Sequence, residues 1–179
     1  MGRKELGLLA LVVAIAAVTS ALNPRFLSTV NLMNMANLIG LFGIFSIGQG
    51  LVIITGGIDL SVGSVLALLG VVFLDLVANH GAPWPAAVLA VLAGGLVAGL
   101  AHGALVTRMG LQPFVVTLCG LLIYRGAARY YTGDSTISLG FAEGVDTLAW
   151  LASGRSFGVP HSFVALVAVA LVVGVVLHR

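Results

Sequence analysis

The stretch from Ile54 to Leu68, ITGGIDLSVGSVLAL, gathers one carboxylate, two serines and three glycines into a chain built mostly of Leu, Val, Ala and Ile. These side chains donate and accept hydrogen bonds, and the glycines free the backbone to turn. Gln49 and His102 are further polar side chains set inside apolar runs. Each is either hydrogen-bonding glue to a neighbouring helix or a functional group by its position. Hydrolytic and phosphoryl chemistry find no support. The dipeptide GK never occurs and Lys4 is the only lysine, so no P-loop can form. His80, His102 and His161 are too far apart for a ligand motif and His178 stands alone, so no metal site is expected. Gly56-Gly57 and Gly94-Gly95 make no dinucleotide fingerprint. No cofactor and no catalytic residue is expected, because no nucleophile-and-base constellation is present.

The elements that position these groups follow from composition. Of 179 residues, 60% are hydrophobic and 8% charged, against roughly 25% charged in a soluble domain. That apolar excess requires lipid, and runs of about 18 or more apolar residues are membrane-helix candidates. Six stretches qualify or nearly do: Leu6 to Leu22, Leu38 to Thr55, Leu60 to Ala78, Pro85 to Val106, Pro113 to Tyr130 and Pro160 to Leu177. A membrane barrel would instead alternate in polarity over strands of about ten residues. The expected fold is all-α, a polytopic membrane helical bundle of about six transmembrane helices. The first stretch has 17 residues, longer than the roughly 7 to 15 of a signal peptide's apolar region, and reads as an uncleaved helix. A formal charge of +2 without a basic patch excludes nucleic acid as a partner. The single cysteine, Cys119, lies inside the fifth stretch, where it is expected to pack as a small apolar residue and can form no intrachain disulfide.

Within that frame Leu38 to Thr55 covers about 27 Å at 1.5 Å per residue, so Gly56-Gly57 reach the far surface or stop just short of it. Glycine can end a helix in the left-handed conformation. Asp59 or Ser61 can then cap the following helix, and the Asp59 carboxylate complements its positive end. This is a tight hairpin between two spans. The same residues admit a second reading, because half-helix ends and unwound backbone are how membrane transporters expose polar groups to what they move. Gly56, Gly57, Asp59, Ser61, Gly63 and Ser64 are therefore the candidate turn or pathway residues. Gly63 and Ala67, four apart, would let the third helix approach a neighbour closely. In the fourth stretch Ala87, Gly95, Gly99 and Gly103 share one face and are expected to pack against another helix, with His102 beside them. Asp75 lies about 24 Å beyond Asp59 along the helix and is expected to be an interfacial charge.

Orientation is weakly marked. With the N-terminus inside, Arg3, Lys4, Arg108 and Arg179 face four arginines outside, Arg25, Arg125, Arg129 and Arg155. Only the pair flanking the first helix favours a cytoplasmic N-terminus. Trp84, Trp150, Tyr130 and Tyr131 fall near span ends, where aromatic rings favour the headgroup level. The longest connection, Tyr131 to Val159, carries Phe141, Val145, Leu148 and Ala152 at helical spacing, Glu143 and Asp146 on other faces, and Gly154 as a C-cap. That pattern suits a short helix on the membrane surface, serving either as a shield for span ends or as a platform for a soluble partner.

GGIDLSVGSVLAL at 56–68 closely resembles the signature of the permease subunits of bacterial ATP-binding-cassette importers for ribose, xylose, rhamnose and related monosaccharides. GLAHGALVTRMGLQPFVVTL at 99–118, YRGAARYYTGDSTI at 124–137 and FGVP at 157–160 resemble the same family in order. The resemblance implies a transmembrane permease domain over 1–179, the N-terminal portion of a longer permease, with 131–159 as a periplasmic loop. It also implies a bacterial inner-membrane location and a cytoplasmic N-terminus. The implied partners are a second permease subunit, cytoplasmic ATPase subunits that hydrolyse the ATP, and a periplasmic sugar-binding protein. His102 departs from the family, whose members usually carry Asn there. Two other readings stay open: the amino-acid branch of the same importer class, and an ATP-independent secondary transporter or channel. No residue points to a particular sugar.

Overall fold

Backbone N–H and C=O groups find no partner in hydrocarbon, so an apolar chain satisfies them within its own helices. The computed structural model, which describes residues 3–138 and 145–178, is helical over most of that length. Its elements are α1 (Arg3–Leu22), α2 (Thr29–Ile54), α3 (Val62–Ala78), α4 (Trp84–Thr107), α5 (Pro113–Thr132), α6 (Val145–Ser153), β1 (Arg155–Ser156), β2 (Val159–Pro160) and α7 (His161–Leu177). Prolines mark three of the starts: Pro85 and Pro113 lie in the first two positions of α4 and α5, and Pro160 immediately precedes α7. A missing N–H costs nothing at these positions. The C-terminus of α5 closes on consecutive left-handed residues, Gly133 (φ 56°) and Asp134 (φ 58°). Their N–H groups reach back to the Tyr130 and Arg129 carbonyls at 3.3 and 3.1 Å.

The helices coincide with the six apolar stretches, with one large boundary error. α2 starts at Thr29 rather than Leu38. Asn31, Asn34 and Asn37 interrupt the apolar run, yet each has a partner. The Asn31 N–H donates to Ser28 Oγ at 3.3 Å, which caps the helix, and its side chain donates to the Phe26 carbonyl at 2.7 Å. By length and composition α2 and α4 are long and apolar enough to cross a membrane, while Leu6–Leu22, α3 and α7 are shorter apolar helices. Phe141 and Glu143 of the expected surface helix lie outside the described residues. α6 occupies the rest of that pattern, and Gly154 follows it without adopting the left-handed cap conformation.

The chain divides into two compact units. One comprises the residues up to Ile44 together with those from Ser153 onward. There Gly40 lies against the Ser162 and Phe163 backbone, where any side chain would collide. Ser162 Oγ donates to Asn37 Oδ1 at 2.7 Å, and Arg155 donates to Asn34 Oδ1 at 3.1 Å. Ahead of α7, β1 and β2 form a two-residue antiparallel hairpin that the sequence reading did not anticipate. Its turn holds Phe157 and Gly158 at φ 52° and 81°, the paired positive values of a type I′ turn.

The second unit, Phe45–Ala152, packs α3 against α4 and α5. Its burial inverts that of a soluble protein. Leu92, Leu96 and Leu100 of α4 are each 64% exposed, while Ser61, Ser64, Asp75 and Thr117 are buried beside Val77, Ala87, Val116 and Ala128. Asp75, expected as an interfacial charge, is buried near the end of α3. It takes hydrogen bonds from Tyr131 Oη at 2.5 Å and Asn79 Nδ2 at 2.7 Å, with His80 Nδ1 at 3.1 Å, and so joins α3 to α5. Tyr131, expected as a headgroup-level ring, spends its hydroxyl on this tie. Within this chain the small-residue stripe on α4 is met by neighbours at only some of its positions. Gly94 and Gly95 take Leu69 and Ala87 is buried, but Gly99 and Gly103 meet no neighbouring atom, nor does Gly63 on α3.

Two outcomes follow. Gly40→Val should destabilise the α2–α7 contact by about 2 kcal/mol through overpacking, read as a lower midpoint when the chain is unfolded in mixed micelles. At the end of α5 the Arg129 guanidinium, 2.6 Å from Asp134 Oδ1, holds the Asp134 carboxyl below the ordinary carboxylate range. A depressed folded-state value means that the clip stabilises at neutral pH and that its contribution disappears as pH falls through that value. Amide exchange at Gly133 and Asp134 should therefore accelerate in acid, and Asp134→Asn should remove the pH dependence; both partners are well exposed, so the effect is small.

Candidate functional site at the break between α2 and α3

The glycine turn forms as its residue types require. Gly56 adopts φ 79° and donates its N–H to the Ile53 carbonyl at 2.9 Å, while Gly57 N–H reaches the Val52 carbonyl at 3.0 Å. Beyond it, residues 58–61 run without helical structure until α3 begins at Val62. Two side chains from flanking helices approach the exposed carbonyls. Gln49 Nε2 on α2 donates to the Asp59 carbonyl at 2.9 Å, and Thr117 Oγ1 on α5 lies 3.0 Å from the Ile58 carbonyl. Gln49 therefore bonds the backbone of the break and not a neighbouring helix.

Capping does not follow the expected pattern. Ser61 sits at the N-cap of α3 with helical dihedrals and makes no side-chain cap bond. Its N–H and its hydroxyl both donate to Asp59 Oδ1, each at 2.7 Å. The carboxylate therefore closes a turn one residue ahead of the helix. Ser64, buried in the first turn, returns its hydroxyl to the Ser61 carbonyl at 2.7 Å.

His102 on α4 completes the cluster. Its Nδ1 lies 3.4 Å from Ser61 Oγ and its Nε2 lies 3.2 Å from Tyr124 Oη on α5. The ring rests where a side chain on Gly120 would be: a Cβ there would fall 2.6 Å from Nε2. A cavity of about 420 Å³ opens beside this cluster, lined by Thr55, Asp59, Gly99, His102, Gly103, Thr107 and Thr117 among others. Gly99 and Gly103, free of packing partners, form part of its wall. A second cavity of about 240 Å³ lies on the other flank of His102, lined by Val115, Cys119, Gly120 and Tyr124. Cys119 is exposed there rather than packed, which corrects the sequence expectation.

The larger cavity is mostly apolar, its wall including Val52, Ile58, Val106 and Pro113, and several of the polar groups it carries are acceptors. Thr55 and Thr107 donate their hydroxyl hydrogens to the Val52 and Gly103 carbonyls, at 2.8 and 2.7 Å, so their oxygens are left to accept. Thr117 likewise has only backbone carbonyls as hydrogen-bond partners. With Asp59 added, the wall suits a ligand that donates hydrogen bonds.

Asp59, Ser61 and His102 converge, with Gln49 behind them, while Gly63 faces open space. Thr117, Gly120 and Tyr124 were missed. Thr117 is a hydroxyl four residues into an apolar helix, a signal that exists but names no partner until α5 lies beside the break. Gln49→Leu should leave the Asp59 carbonyl unpaired, and Thr117→Val should remove the hydroxyl beside the Ile58 carbonyl. Amide exchange over residues 58–61 should then quicken about tenfold while the centres of α3 and α5 remain protected.

The family described as branched-chain amino acid transport system / permease component matches residues 31–179. The ribose import permease protein of Escherichia coli is 39% identical over 157 residues, covering 88% of this chain and 48% of that protein. The fructose import permease protein of Bifidobacterium longum is 39% identical over 132 residues, 74% of this chain and 37% of its own length. The ribose import permease protein of Bacillus subtilis is 33% identical over 178 residues, 97% of this chain and 52% of that protein. This chain spans about half the length of the curated ribose permeases it matches. No solved structure matches it. The chain belongs to the branched-chain amino acid transport system / permease component family of membrane proteins.

Proposed function

We propose that the chain is part of the permease subunit of a bacterial ATP-binding-cassette importer and contributes to the translocation pathway for a monosaccharide. The acceptors set in the apolar cavity at the α2–α3 break carry this reading. A sugar presents hydroxyl donors to Asp59 and the threonine oxygens, whereas an amino acid's carboxylate would meet the Asp59 carboxylate with no lysine or arginine in the lining to neutralise it. Relatives named for ribose and fructose import point the same way. In this arrangement α1 to α5 and α7 cross the inner membrane, the N-terminus is cytoplasmic, and 131–159 forms a periplasmic loop whose α6 lies on the membrane surface. Gly56 to Ser64 then lie toward the cytoplasmic side, on the flank of the pathway. A second permease subunit completes that pathway, with Gly63 on a face free to meet it. ATPase subunits on separate chains drive it from the cytoplasm, and a periplasmic sugar-binding protein delivers the substrate.

The test is a chimera in which this chain replaces the aligned stretch of the Escherichia coli ribose import permease, expressed with that system's ATPase and binding protein. Uptake of labelled monosaccharide should appear, should vanish when the ATPase is inactivated, and should survive collapse of the ion gradients while ATP is held constant. Asp59→Asn should insert at normal levels and take up sugar at a rate lower by about tenfold or more. Uptake that follows the ion gradient, or that prefers a branched-chain amino acid, would overturn the proposal. Loss of insertion in Asp59→Asn would assign Asp59 to the hairpin instead.

A further inference from the structure

We infer that His102 is the positioning residue that holds Asp59 toward the larger cavity, and that it acts as the tautomer protonated on Nδ1. The claim about transport rests on the reading of that cavity as a pathway; the tautomer follows from counting hydrogens. Ser61 Oγ lies 2.7 Å from Asp59 Oδ1. Two oxygens that close need a hydrogen between them, and the serine hydroxyl supplies its only one. At its other contact, 3.4 Å from His102 Nδ1, Ser61 Oγ therefore has only lone pairs to offer. The hydrogen there must come from the ring. A neutral imidazole carries one N–H, so Nε2 is an acceptor and takes the Tyr124 hydroxyl hydrogen at 3.2 Å.

The chain of donors thus runs one way: Tyr124 O–H to Nε2, Nδ1–H to Ser61 Oγ, Ser61 O–H to Asp59 Oδ1. Each step joins a different element, from α5 through α4 to the head of α3 and the break before it. Gly120 keeps the ring in place, since its absent Cβ leaves the space that the imidazole edge occupies. Asp59 Oδ1 is fully engaged by Ser61, and Oδ2 is the carboxylate oxygen left for the cavity. The Ser61 N–H also holds Oδ1 at 2.7 Å, so the Nδ1–H acts by fixing the Ser61 hydroxyl, the second of the two donors that set the carboxylate's orientation.

The tautomer is tested by nitrogen NMR on the chain carrying labelled histidine in lipid bilayers at neutral pH, with His102→Asn identifying the His102 signals. Nδ1 should be the protonated nitrogen. Ser61→Ala should shift the ring toward the Nε2–H form, because only Tyr124 Oη then remains as a partner. Tyr124→Phe should leave Nδ1–H in place. An Nε2–H ring in the unaltered chain, or a ring indifferent to Ser61→Ala, would overturn the assignment.

The positioning role is tested in the chimera. His102→Asn puts an amide N–H close to the Nδ1 position and should retain uptake within about twofold, whereas His102→Gln puts it near Nε2 and should lose about tenfold or more. Equal uptake by the two variants would overturn the positioning role. A chimera that fails to transport with His102 intact would instead count against the proposed function, and the NMR measurement would still decide the tautomer.

Discussion

Every feature of the site depends on one constraint: backbone carbonyls freed from a helix within an apolar environment must find other donors. α2 ends at Ile54 and seven residues, the glycine turn among them, separate it from α3 at Val62; the Ile58 and Asp59 carbonyls are exposed in the interval. Gln49 donates to the Asp59 carbonyl, and the Thr117 hydroxyl, whose one hydrogen is shared among the Ile58, Pro113 and Phe114 carbonyls, lies 3.0 Å from that of Ile58. Those two side chains help to hold the break in a defined shape. Asp59, Ser61 and His102 can be arranged around it only because that shape is held.

The same constraint explains the inverted interior. With lipid as the solvent, burying Leu or Val between helices gains little from the hydrophobic effect, and cohesion comes from close packing and from polar contacts. Hence leucines face outward on α4 while Ser61, Ser64, Asp75, Thr117 and Ser162 occupy the contacts between elements. Asp75 with Tyr131 and Ser162 with Asn37 play the same part in the two units, each joining helices distant in sequence through a polar bond.

Small residues divide into two roles. Gly40 and Gly120 bring a backbone or an imidazole edge into contact, and a Cβ at either would collide. Gly99 and Gly103 share the small-residue signature but leave open space, and that space is the cavity wall. Spacing at four residues identifies a face without a side chain; it does not distinguish a face that is filled from one that is left empty.

Hydrophobicity and glycine chemistry are local, so the sequence by itself determined the helices, the left-handed turn at Gly56 and the polar character of the break. It misplaced the start of α2 because three asparagines disrupt an apolar run without disrupting a helix that gives each of them a partner. It treated Asp59, Gln49 and His102 as separate candidates and passed over Thr117, Gly120 and Tyr124. Only the tertiary structure decided that these six meet, since the contacts that α4 and α5 supply join residues 22 to 59 apart and hydrogen-bond partners at such separations leave no periodic trace in the chain.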